Sequence, residues 1–371
     1  MNTEFTNQLI REIVRNGKNY YCDNYDAERF GVRQTKQKSW LRCIQDHCLE
    51  KMNLPVMPCV VVPQLDFADF DFPGLEETYA LLEDAASKKL LTMLFAYRIL
   101  GEFRVKLPVN TLEYWSELSR VKGLANCKEE LPIDFMGWRL SKFALDSYSY
   151  PLSMYSVAEG ILNLFYLRQY EMLLPDAVFG VELGDVVIDA GGCWGDTALR
   201  FAHEAGEKGK VYSFEFVEAN IKVFRQNLAL NPLIAERVEI VQRPLWDISR
   251  VSMYCIDNGP GSCISFEPVA NANYRVETIT LDEWVAENEL NKVDFIKMDI
   301  EGAELKALHG AESTLRKFRP KLAISVYHQL VDIVEIPRYL ARLGLEYKFY
   351  LGHYTIHLEE TVLYAIPAGS R

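Results

Sequence analysis

Two stretches of the chain concentrate residues able to bind or transform a small molecule. The first is Asp189-Ala190-Gly191-Gly192-Cys193-Trp194-Gly195-Asp196, a glycine-rich turn that follows the apolar run Val186 to Ala190. Gly191 and Gly195 let the backbone turn tightly and let a ligand approach where a Cβ would clash. The spacing is Asp-x-Gly-x-x-x-Gly, not the Gly-x-Gly-x-x-Gly of dinucleotide binding, and it favours a single nucleoside with an amino-acid tail. The second is Asp299-Ile300-Glu301-Gly302-Ala303-Glu304, with His328 at the end of the next apolar run. Carboxylates and a histidine brought together suit two kinds of chemistry. They can take a proton from an alcohol, or they can hold a divalent cation of the magnesium or manganese kind.

Glu215 joins the first stretch. It ends the apolar segment Lys210 to Phe216, 26 positions after Asp189. A carboxylate there can accept both hydroxyl protons of a ribose in charge-assisted bonds. Phe216 follows it, and Leu245-Trp246-Asp247 falls where an adenine would lie, offering an apolar face. The acids Glu301 and Glu304 also suit the first turn of a helix, where the macrodipole favours them. His353 and His357 are weaker candidates on a closing hairpin.

These residues need a frame that delivers them to one place. From about Gly160 onward, strand-like and helix-like segments alternate. Ile161 to Leu174 has an amphipathic helical pattern. Strands are expected over 186–190, 210–216, 238–242, 293–299 and 321–327, with helices between them. Alternation of this kind implies a parallel sheet covered on both faces. Its ligands bind beyond the carboxyl ends of the strands, where the strand order reverses. Segments 345–350 and 361–366 close the chain as an antiparallel hairpin, and 251–279 reads as a hairpin insertion around Asn258-Gly259-Pro260-Gly261. Before residue 131 the pattern is mainly helical: Leu75 to Gly101 has helical spacing, and Asn110 and Thr111 precede a second helix. Residues 131–152 are aromatic-rich, with the character of short strands.

The bulk composition narrows the classes. The 371 residues are 49% hydrophobic and 25% charged, enough for a sizeable core. A formal net charge of -12 repels phosphate backbones and argues against general nucleic-acid binding. No run is long and apolar enough for a membrane span, and the first residues lack a signal-peptide core. Eight cysteines without paired spacing fit reduced thiols, so the expected compartment is the cytoplasm. Cys43, His47 and Cys48 lie close together but complete no recognised zinc spacing, and they read as ordinary thiols.

The run Val293-Asp294-Phe295-Ile296-Lys297-Met298-Asp299-Ile300-Glu301-Gly302-Ala303-Glu304, followed by Leu308-His309-Gly310-Ala311, resembles the signature of the FkbM family of methyltransferases. The resemblance continues through Glu277-Thr278-Ile279-Thr280-Leu281-Asp282, the glycine turn, Tyr170-Glu171 and Glu360 to Ala365, covering roughly 131–367. Where the family commonly has Gly-Ala-Asn in the turn, this chain has Gly191-Gly192-Cys193.

The resemblance implies a Rossmann-like class I methyltransferase sheet over 131–371, mostly parallel with an antiparallel last strand. A helical region, 1–130, precedes it and serves substrate access or a dimer contact. The resemblance also implies S-adenosylmethionine as cofactor, held by Asp189, Gly191, Gly195, Glu215, Phe216, Leu245, Trp246 and Asp299. The expected reaction is O-methylation of a hydroxyl on a sugar, a glycan or another small-molecule natural product. Asp299, Glu301 and His328 are the catalytic candidates. His328 is favoured as a general base, with a divalent cation held by Asp299, Glu301 and His328 as the other mechanism. A nicotinamide-dependent oxidoreductase and a non-catalytic cofactor-binding module are the rival readings.

Overall fold

The computed structural model describes residues 3–26, 70–133, 138–174, 178–256, 263–265, 267 and 274–369. Cys43, His47, Cys48 and the 258–261 turn lie outside them. Strands are numbered in chain order: β1 Asn126–Pro132, β2 Arg139–Ala144, β3 Ser153–Ser156, β4 Met172–Leu173, β5 Val178–Phe179, β6 Val186–Ala190, β7 Lys210–Phe214 and β8 Val238–Val241. There follow β9 Ser252–Ile256, β10 Cys263–Ser265, β11 Tyr274–Glu277, β12 Phe295–Met298, β13 Lys321–Ser325, β14 Tyr347–His353 and β15 Thr361–Pro367.

Seven of these strands form one sheet in the order β14-β15-β13-β12-β6-β7-β8. β13, β12, β6, β7 and β8 pair in parallel, whereas β15 runs antiparallel between β13 and β14. β12 is buried along its whole length, as expected of a strand covered on both faces. The chain leaves β6 toward β7 and β8, then returns to β12 on the other side. The carboxyl end of β6 is therefore the point where the order reverses and a crevice opens.

Helices cover both faces, among them Asp196–Ala205 after β6, Glu218–Leu230 after β7, Glu304–His309 after β12 and Asp332–Arg342 after β13. Among the described residues no helix is long and apolar enough to cross a membrane.

The N-terminal helices Glu4–Asn16, Phe72–Leu81 and Ala85–Leu100 pack at the β14 edge. The Glu83 N–H donates to the Phe349 carbonyl (3.0 Å), and the Leu351 N–H donates to Ser87 Oγ (2.9 Å). The helical pattern expected over 75–101 is thus two helices, because Leu82 is extended and Asp84 caps a new start by accepting from the Ser87 N–H. Phe5, Leu91 and Phe95 join one core with Ile324, Ile336 and Phe349 of the sheet layer. The boundary expected between 130 and 131 falls inside β1, and the helices before it share the sheet's core.

β1, β2 and β3 form a separate antiparallel sheet. It is tied to the Glu218–Leu230 helix by two buried asparagines. Asn227 accepts from the Tyr155 N–H (2.7 Å) and donates to the Tyr155 carbonyl (3.0 Å), and Asn231 bonds both backbone groups of Ser153. The 251–279 insertion is a three-stranded sheet in the order β10-β9-β11, one strand more than a hairpin.

Candidate active site

The β6 turn is held from behind by a saturated carboxylate. Asp189 is fully buried and accepts from Ser213 Oγ (2.7 Å) and Thr197 Oγ1 (3.0 Å), with Lys297 Nζ at 3.2 Å. The Lys297 ammonium also donates to the Gly191 carbonyl (2.6 Å) and the Ala190 carbonyl (3.1 Å). Burial would strip that proton, but Asp189 and Asp299 more than compensate and keep Lys297 charged. Asp189 lines neither of the two cavities at the strand ends; it fixes the turn. Gly195 is likewise structural. Its φ of 82° starts the Asp196–Ala205 helix, and an added Cβ would enter the Phe224 ring. Gly191 does face the crevice, yet its constraint is different from that expected. At φ 87° a Cβ would collide with the Asp299 carbonyl of the neighbouring strand end.

Two cavities open at the carboxyl ends of β6, β7 and β12. One, of about 270 Å³, is lined by Gly191, Glu215, Phe216, Leu245, Trp246 and Asp299 among others. It therefore gathers six of the eight residues expected at the cofactor. Glu215 is buried, accepting from the Val217 N–H (2.7 Å) and Asn220 Nδ2 (3.3 Å). Burial pushes its carboxyl up to about 7 against those hydrogen bonds. Asp247 turns away and pairs with Lys306 (2.8 Å).

The second cavity, of about 770 Å³, lies on the other side of the turn. Its walls come from β2, the stretch 156–170, the β6 turn, Lys297 and Tyr327. Gly191, Cys193, Asp299 and Glu301 border both cavities, so the two meet at these residues.

Asp299 is the best-anchored group at that junction. Its Oδ2 accepts from Tyr170 OH (2.9 Å) and its Oδ1 from Tyr327 OH (3.2 Å). Burial alone would raise it, but His328, Lys297 and the Tyr170 hydroxyl hold it below the usual carboxylate range. Tyr170 reaches Asp299 because the helix expected over 161–174 stops early. After the single turn Ala158–Ile161 and a wider turn through Tyr166, the buried Arg200 guanidinium takes the carbonyls of Leu164 and Gln169. Arg168 and Tyr170 then turn to positive φ. Glu301 also sits at positive φ (56°), the kind of cost that persists where surrounding structure imposes it. Its side chain is 37% exposed, and partial burial with the neighbouring acids pushes it up to about 7.

His328 is placed differently from the expectation. It borders neither cavity, and its side chain is only 8% exposed. Three carboxylates surround it: Glu304 Oε1 at 2.9 Å, Asp299 Oδ1 at 3.4 Å and Glu301 Oε2 at 3.6 Å. Although burial opposes the charge, they raise the imidazole to about 9. Charged and set behind the cavity wall, His328 is poorly placed for the general-base role expected of it. His353, lowered to about 4 by burial, bonds Thr361, and His357 bonds Tyr97 OH (2.6 Å), both within the hairpin's packing.

Residues 180–347 match the methyltransferase FkbM domain. The chain carries a methyltransferase FkbM domain. Its fold is similar to the crystal structure of methyltransferase FkbM from Methylobacillus flagellatus KT, at 17% identity and a TM-score of 0.52, with 90% of this chain and 72% of that chain covered. More distant is a putative rRNA-methylase from Clostridium thermocellum, at 14% identity and a TM-score of 0.33, covering 50% of this chain and 88% of that one. Aeropyrum pernix fibrillarin, solved with natively bound S-adenosyl-L-methionine, gives 11% identity and a TM-score of 0.35, covering 64% of this chain and 98% of that one. No curated protein matches the chain. The sheet is that of class I S-adenosylmethionine methyltransferases, and the FkbM domain match sets aside the nicotinamide oxidoreductase.

Proposed function

We propose that the chain transfers the methyl group of S-adenosylmethionine to a hydroxyl of a sugar, glycan or other small-molecule natural product. The observation that carries this reading is the meeting of the two cavities at Gly191, Cys193, Asp299 and Glu301. In this reading the smaller cavity holds the cofactor. Glu215 accepts the ribose hydroxyls, Leu245 and Trp246 cover the adenine, and the sulfonium lies toward Asp299. The larger cavity holds the acceptor, whose size and mixed lining of Trp138, Phe143, Ser141, Asn163 and Glu159 suit a polar ring compound.

Methyl transfer is an in-line displacement. The acceptor oxygen forms a bond to the methyl carbon, the carbon–sulfur bond breaks, and its electron pair stays on sulfur. Alignment is the main contribution an enzyme makes to it. The acceptor's proton passes to a carboxylate at the junction, Asp299 or Glu301. Tyr170 and Tyr327 orient Asp299 from behind, and Lys297 fixes the turn opposite.

Incubation with S-adenosylmethionine and a panel of hydroxylated sugars and glycosides, followed for S-adenosylhomocysteine and methylated product, tests the reading. An O-methylated product that requires the wild-type chain supports it. Methylation confined to nitrogen or carbon, or cofactor binding without turnover on any acceptor, would overturn it.

A further inference from the structure

The mechanism above leaves Glu304 and His328 without a task, although both are buried at the site. Glu304 is fully buried, and its Oε1 accepts from the Ile300 N–H (2.7 Å). Its Oε2 has no hydrogen-bond partner, while Nδ1 of the His328 imidazole lies 2.9 Å from Oε1. Buried polar atoms are rarely left in that state without a reason. One ligand atom each from Asp299, Glu304 and His328 lies within 4.8 Å of the other two. The nearest approaches are 2.9 Å, from His328 Nδ1 to Glu304 Oε1, and 3.4 Å, from His328 Nε2 to Asp299 Oδ1. A cation can take only one of these two nitrogens, so the two approaches are alternative placements within the cluster.

The surrounding charge points the same way. Asp299, Glu304 and Glu301 converge on His328, while the nearby Lys297 ammonium is already paired with Asp189 at 3.2 Å. A cation would satisfy the unpartnered Glu304 Oε2 and, in place of the imidazole's proton, balance these carboxylates. We propose that Asp299, Glu304 and His328 form a site for one divalent cation of the manganese class. Two carboxylates with one imidazole favour a hard ion, whereas a softer ion such as zinc or copper would call for more nitrogen or sulfur.

The ligand set differs from the one expected from the sequence, with Glu304 in place of Glu301, and so does the position. Glu304 and His328 border neither cavity, and only Asp299 connects the site to them. A cation here is a positioning device that fixes the Asp299 carboxylate, and it does not itself bind the acceptor oxygen. Its effect on turnover rests on the methyl-transfer reading, but its binding does not.

The test therefore measures binding without cofactor or acceptor. The full chain, stripped with EDTA and dialysed, is titrated with manganese chloride while free manganese is followed by its electron paramagnetic resonance signal. Saturation at one manganese per chain is expected, with at least tenfold weaker binding in His328→Ala. Glu304→Gln should weaken binding similarly, with circular dichroism checking its fold because Glu304 also holds the Ile300 N–H. Glu301→Gln should keep one equivalent. No saturable binding by the wild type, as a site holding only a proton would give, overturns the proposal. Undiminished binding in both His328→Ala and a folded Glu304→Gln overturns it too. Manganese binding in a chain that never methylates would count against the proposed function alone.

Discussion

The two cavities that meet at Asp299 are built by different means. The smaller one is walled by strand ends and the residues just after them: the β6 turn, Glu215 and Phe216, Leu245 and Trp246, and Asp299 to Ala303. The larger one borrows its far wall from a separate sheet and from a broken helix, held by Asn227, Asn231 and Arg200. The sheet topology alone dictates where the first cavity lies, because strand ends at the reversal point must face one crevice. Side-chain clamps between segments far apart in the chain decide the second. In the proposed reading, cofactor binding is tied to the sheet, while the acceptor wall can vary without disturbing it.

That contrast makes the shared residues the most sensitive. Gly191→Val is expected to abolish S-adenosylmethionine binding altogether, since φ 87° disfavours a branched residue and its Cβ would displace the Asp299 carbonyl. Calorimetry on a variant verified as folded checks this, and normal affinity would mean that the turn tolerates a side chain. Asp299→Asn should lower turnover by about 10²- to 10⁴-fold, the range for a lost proton acceptor, with a much smaller change in cofactor affinity. Single-turnover rates alongside cofactor dissociation constants separate the two effects.

Residues of one cavity should separate the two sites. Glu215→Ala should weaken S-adenosylmethionine binding by about 1.5–3 kcal/mol, the cost of losing hydrogen bonds to a charged group, and leave acceptor binding alone. The wild type should show a related pH dependence. The ionised Glu215 is the form that accepts ribose hydroxyls, and its carboxyl is raised to about 7. Affinity should therefore be full above pH 7 and fall by up to about tenfold per unit below it, a trend absent from Glu215→Gln. Titrations from pH 5.5 to 8.5 would reveal a flat profile if Glu215 is not in contact with the cofactor. Smallest of all, Trp138→Ala should raise the acceptor KM by roughly 0.5–1.5 kcal/mol equivalent, the scale of a lost ring contact, with cofactor affinity unchanged.

The same contrast explains how much was legible in the sequence. Short apolar runs ending in Asp189, Glu215 or Asp299 located β6, β7 and β12 to within two residues, and with them the wall of the smaller cavity. Tyr170 and Tyr327 were missed as partners of Asp299 because nothing local marks them. Tyr170 arrives only when the buried Arg200 draws two carbonyls out of the helical ladder, and helical periodicity carried straight through that break. Lys297 had a signal that was passed over: a charged residue in the middle of an otherwise apolar buried strand needs a buried partner. His328 was located at the right strand end, but its enclosure by three carboxylates was not foreseen. The number of carboxylates around it depends on the conformation of the 300–304 turn, which spacing does not reveal.

The central claim is that a nucleoside cofactor lies across the β6 and β7 ends with its sulfur at the junction of the cavities. A crystal structure with S-adenosylhomocysteine tests it most directly. The expected result places both ribose hydroxyls on Glu215, the adenine between Leu245 and Trp246, and the sulfur facing Asp299 and the larger cavity. A ligand bound elsewhere, or one whose sulfur points away from Asp299, would contradict it.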